Sequence, residues 1–155
     1  MAGVVTIKTA EIHVGKGAEN IVTGSIGSCL VISLYDAVNS VGGMAHSMLP
    51  SSKGGHAEEG APGKYVDQAI DTMIVEILKL GGKQENLVAK FVGGASMFKK
   101  LIPEQHSIGT QNIEAAREKL AALGIPIEGE DTGGGTGKIA ELNLRNGILD
   151  VYTKI

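Results

Sequence analysis

The chain has one cysteine, Cys29, so no intrachain disulfide can brace it and its stability must come from packing. It has no tryptophan, two phenylalanines and three tyrosines. That scarcity removes the stacking platforms on which single-stranded nucleic acids are held. Basic residues never cluster beyond the pair Lys99-Lys100, and the formal net charge is -3, so nothing tracks a phosphate backbone. No run approaches the ~18 apolar residues that cross a bilayer. No apolar segment follows a basic start. Neither nucleic-acid binding nor direct membrane insertion is expected. The expected address is the cytoplasm, where a lone thiol stays reduced. The four histidines are scattered, without paired ligand spacing, and one cysteine cannot build a zinc framework, so no metal site is expected.

Glycine is abundant, at 23 of 155 residues, and it comes in groups such as Gly42-Gly43, Gly81-Gly82 and Gly93-Gly94. Such groups mark tight turns or close backbone approaches. Apolar residues make up 43% of the chain, enough for one core, and residues 1–155 are expected to form a single domain. Alternating or β-branched runs predict strands over Val4–Ile7, Glu11–Val14, Cys29–Tyr35, Val41–Leu49, Leu87–Val92, Ile139–Leu144 and Ile148–Tyr152. Asn146-Gly147 predicts a hairpin turn between the last two. Val66, Ala69, Ile70, Met73, Ile74, Ile77 and Leu78 form one stripe of a helix stopped by Gly81-Gly82. A second helix is predicted over about residues 111–123, capped by Gly124. Residues 51–63 read as an exposed loop, and Ile125-Pro126-Ile127 as a short extended piece. Strands and helices in mixed order predict an α+β fold rather than a doubly wound parallel sheet.

Cys29 follows Gly24-Ser25-Ile26-Gly27-Ser28, where a turn meets a strand. Backbone N–H groups of such a turn, around Gly27 and Ser28, can converge on an oxyanion. The plain alternative is a buried structural thiol, since free cysteine is often fully buried. His46 stands 17 residues on, in the strand expected to pair with that of Cys29, and a Cys–His pair is the minimal machinery of thiol catalysis. A core histidine bonded to a carbonyl is the competing reading. Thr23, on the strand entering the turn, is a candidate to orient the imidazole, against the simpler reading of a strand-forming threonine. Met97 and Phe98, after Gly93-Gly94, are either packing residues or an apolar rim for a substrate or partner. The stretch Asp131–Lys138 is not a phosphate-binding loop: Thr132 stands where the first glycine is needed, and Ile139 where a hydroxyl is needed.

These stretches together resemble the CheD family of chemotaxis proteins. Ser25-Ile26-Gly27-Ser28-Cys29 is similar to that family's Gly-Ser-Cys turn, and Gly42–Pro50 to its Gly-Gly-Met-Ala-His block. Gly93–Phe98, Ile108-Gly109 with Asn112, and Glu130–Gly134 resemble three further blocks in order. Many relatives carry Arg where Gln111 and Lys138 stand, and no role is carried to either position. The resemblance implies a fold shared with toxin deamidases, of packed mixed β-sheets flanked by two or three helices, and hydrolysis of glutamine side chains on methyl-accepting chemoreceptors, with no cofactor. It implies Cys29 as nucleophile, His46 as base and Thr23 as the group that orients it. Receptor helices, together with a CheC-type phosphatase, are the implied partners. An acyl carbon is common to amides and methyl esters, so an esterase side activity is also expected. Two other classes stay open: an adaptor that mainly binds the phosphatase, and a thiol amidase acting on small molecules.

Overall fold

The computed structural model describes residues 3–51, 61–95, 107–134 and 137–153. Among these residues, nine strands and two α-helices follow one another as β1 (Val4–Ile7), β2 (Ile12–Lys16), β3 (Asn20–Thr23), β4 (Leu30–Asp36), β5 (Val41–Ser47), α1 (Val66–Lys79), β6 (Leu87–Gly93), α2 (Ile108–Leu123), β7 (Ile127–Thr132), β8 (Lys138–Asn143) and β9 (Leu149–Thr153). A short 3-10 turn at Gln84–Asn86 leads into β6. One sheet has the order β1-β3-β8-β9 and the other β2-β5-β4-β6-β7. Both are mixed, because β1 pairs with β3 and β6 with β7 in parallel while the other pairs are antiparallel.

β4 is buried along its whole length, and its alternate residues serve two different cores. Leu30, Ile32 and Leu34 pack with Ala69, Ile70, Met73 and Ile77 of α1 and with Ala116 and Leu120 of α2. Val31 and Tyr35 point the other way, to Ile21, Met44, Ala140 and Leu142 between the two sheets. The five-stranded sheet therefore lies between a helical layer and the four-stranded sheet, which is the expected α+β class. A strand covered on both faces reads as a continuous apolar run, which is why Leu30–Tyr35 shows no polar alternation.

The helices follow from the sequence. The α1 stripe is buried as predicted except at Leu78, which is 47% exposed. Gly81, at φ +94, takes the left-handed turn that ends it. α2 starts earlier than predicted, at Ile108, because the Ser107 hydroxyl accepts from the Thr110 N–H at 3.1 Å and caps the first turn. Gly124, at φ +71, closes it. Two other expectations need correction. Ile127–Thr132 is a full strand, drawn out by parallel pairing with β6. The β8–β9 link is not a two-residue turn on Asn146-Gly147 but runs through residues 144–148. Leu144 is pulled into the core, where its N–H donates to the Glu19 carbonyl and its carbonyl accepts from the Tyr35 hydroxyl, so pairing cannot continue through it.

Candidate active site

The turn carrying Cys29 is fixed by its own carbonyls. Ile26 pairs with Lys138 at the start of β8, each accepting from the other's N–H at 2.7 and 3.0 Å. The Gly27 carbonyl accepts from Ala95 N–H at 3.0 Å, and that of Cys29 from Gly94 N–H at 2.8 Å. The Ser28 carbonyl accepts from the side-chain amide of Asn112 at 3.1 Å. Four consecutive carbonyls are thus held by three separate segments. The N–H groups of Gly27, Ser28 and Cys29 find no acceptor elsewhere among the described residues. Gly93 makes this close approach possible: at φ +113, a Cβ there would lie 2.4 Å from the Cys29 carbonyl oxygen.

Cys29 is half-buried at the end of the sheet, beside the exposed Gly24 and Ser25. Burial pushes its thiol above the ordinary 9.0, while its own backbone N–H acts in the opposite sense. His46 lies in β5 directly across from Val31 of β4. Val31 faces the inter-sheet core, and Met44, two residues before His46, does too. Strand alternation puts His46 on that face, and Cys29 stands two residues before Val31, in the bend that leads into β4. The imidazole is 1% exposed, and burial holds it below the ordinary 6.5. Neither ring nitrogen has a hydrogen-bond partner among the described residues. An imidazole left unpaired inside a protein costs stability, and such costs gather where chemistry requires them.

Thr23 ends β3 on the facing sheet and is buried. Its hydroxyl accepts from Ala140 N–H at 3.0 Å and lies 3.4 Å from the Ala140 carbonyl. It does not bond to His46 in this conformation. Catalytic hydrogen bonds often tighten only when substrate is bound. The rejected phosphate loop runs into β8 at Lys138, where a helix would be needed. Met97 and Phe98 lie outside the described residues. Among the described residues, no three or more His, Cys, Asp or Glu side chains gather as a metal would need.

Two features escaped the sequence reading. Met48 follows β5 and is 37% exposed. Asn112 is fully buried on α2, yet its amide reaches the turn that carries Cys29. The signal for Asn112 was a polar residue at an inward position of the helical repeat, beside Ala116 and Leu120.

The sequence model of the family described as CheD chemotactic sensory transduction matches residues 48–153. A protein of Methanococcus vannielii named probable chemoreceptor glutamine deamidase CheD is 40% identical over 148 residues, which is 96% of this chain and 94% of that protein. An alignment of that length necessarily runs across both Cys29 and His46. The chemoreceptor glutamine deamidase CheD of Thermotoga maritima is 43% identical over 143 residues, covering 92% of this chain and 87% of the relative. A Pyrococcus abyssi protein named as probable chemoreceptor glutamine deamidase is 43% identical over 135 residues, with 86% and 82% covered.

Proposed function

This chain belongs to the CheD family, and on that premise we propose that it hydrolyses glutamine side chains of methyl-accepting chemoreceptors through Cys29 and His46. The activity is that of a protein-glutamine deamidase of chemotaxis, releasing ammonia and leaving glutamate. The observation that carries the residue assignment is the register: Val31 lies opposite His46, and the half-buried Cys29 stands two residues before Val31, in the turn that leads into β4.

Burial pushes the thiol up and the imidazole down, so the resting pair is uncharged. In this reading His46 takes the thiol proton as the sulfur attacks the amide carbon, so the thiolate is made only when it is used. The N–H groups of the turn at Gly27, Ser28 and Cys29 receive the developing oxyanion, each donor worth about 2.7–4 kcal/mol. The carbon–nitrogen bond then breaks, and the imidazolium gives its proton to the departing ammonia. Water, deprotonated by His46, cleaves the thioester and restores the thiol. Thr23 would orient the ring from the facing sheet, exchanging its bond to Ala140 as substrate settles. The same acyl chemistry extends to receptor methyl esters.

The substrate glutamine lies on a receptor helix, so an open sheet end rimmed by Met48 suits it better than a closed pocket. Among the described residues, no helix is long and apolar enough to cross a membrane, and the proposed place of action is the cytoplasmic part of the receptor. The proposal treats residues 1–155 as one catalytic domain. Pairing with a CheC-type phosphatase is included on the family resemblance and predicts a change in deamidation rate when such a phosphatase is added.

Incubation with a receptor cytoplasmic fragment should add about 1 Da to selected glutamines. The Cys29→Ala variant should fold normally and add none. Deamidation that survives this substitution would remove Cys29 from the reaction.

A further inference from the structure

α2 is built to press on the candidate site. Its first turn approaches so closely that a Cβ at Gly109 would lie 2.4 Å from the Gly94 carbonyl oxygen and 2.5 Å from that of Ala95. One turn later Asn112 enters the interior with no exposed surface. Its amide nitrogen donates to the Ser28 carbonyl at 3.1 Å and to the Met48 carbonyl at 3.1 Å. Ser28 precedes Cys29, and Met48 stands two residues beyond His46. One planar group therefore spans the two strands that carry the reacting side chains. The amide orientation is fixed by its surroundings, since the reverse would set Oδ1 against two carbonyl oxygens. Oδ1 itself is buried without a partner among the described residues. A leucine or alanine, as found at neighbouring inward positions, would pack there without that cost.

We infer that Asn112 is a positioning residue of the reaction: by holding the Ser28 and Met48 carbonyls together, it sets the spacing between the Cys29 sulfur and the His46 ring. The inference rests on the Cys29–His46 reading. Asn112 touches neither substrate nor reacting atoms; it limits how far the turn and the end of β5 can drift apart. Displacement of a reacting group by about 1 Å can cost about 10²-fold in rate.

The test measures kcat and KM for ammonia release from a receptor cytoplasmic fragment, with thermal melts followed by circular dichroism. The full chain is compared with Asn112→Ala, Asn112→Ser, Leu120→Ala and Cys29→Ala. Leu120 is buried on the same helix, in the apolar core that the helices share with the five-stranded sheet, so it reports loss of packing. Asn112→Ala should lower kcat by about 10²-fold with KM changed less than about twofold. Asn112→Ser, which keeps one donor, should fall between it and the parent. Leu120→Ala should melt as low and keep kcat within about threefold. The inference is overturned if Asn112→Ala keeps the parental kcat, or if Leu120→Ala loses as much at equal melting temperature. Failure of both Asn112 variants to fold would also overturn it, making the residue a determinant of the fold. Activity in Cys29→Ala would instead reject the reading beneath it.

Discussion

Acidification should destabilise this protein through one identifiable group. His46 is 1% exposed with both ring nitrogens unpaired among the described residues, so the fold binds its proton poorly. The unfolded chain binds it with the ordinary 6.5. A folded value held below the unfolded one means that the unfolded state takes up more protons as pH falls through 6.5, and stability drops with it. If the folded ring stays neutral throughout, the loss between about pH 7.5 and about pH 5.5 reaches about 1.4 kcal/mol. For a domain of this size that is roughly 3–6 °C of melting temperature. Asp36 acts with the same sign but elsewhere. Burial opposes its charge, but the Asn39 side chain, the N–H groups of Lys83 and Asn39, and the Asn86 side chain outweigh that and hold its carboxyl at about 2. Its share of stability is lost only as pH falls from 3.8 toward that value. Urea unfolding of the parent and of His46→Gln across the neutral-to-mildly-acid range isolates the histidine, because the other histidines are common to both proteins. The parent should lose midpoint concentration on acidification and the variant should lose less, by the amount given above. Parallel curves would refute the claim that this ring is held neutral.

Two further outcomes follow from the site. Alkylation of Cys29 by iodoacetamide should accelerate with a midpoint above pH 9.0, because burial disfavours the thiolate; a rate already at plateau at neutral pH would show a preformed thiolate–imidazolium pair instead. Thr23→Val strands the buried Ala140 N–H and should cost about 1–3 kcal/mol in denaturant unfolding. If the hydroxyl also orients His46, the same variant loses about tenfold or more in kcat and Thr23→Ser recovers it, whereas an unchanged kcat confines Thr23 to the sheet.

The local elements were legible in the residues. The α1 stripe, the Gly81 and Gly124 stops and the β-branched run of β4 each obey a period or a backbone preference that neighbours in sequence determine. The motif blocks around Cys29 and His46 were equally legible, since a family pattern is written in residue types. What the residues could not show were relations made across the fold. Val31 faces His46 only because β4 and β5 pair in one register of several that the glycine-rich Val41–Met44 segment would permit. Leu144 breaks the last hairpin because Tyr35 and Glu19, far away in sequence, take its polar groups. Asn112 joins Ser28 to Met48 across separations of 84 and 64 residues. Sequence by itself offered candidates for the chemistry and marked most of the helix and strand segments, because those are properties of a residue and its near neighbours. The tertiary structure alone decided which groups meet, which stay unpaired and which face solvent, because burial and register depend on every layer of the fold at once.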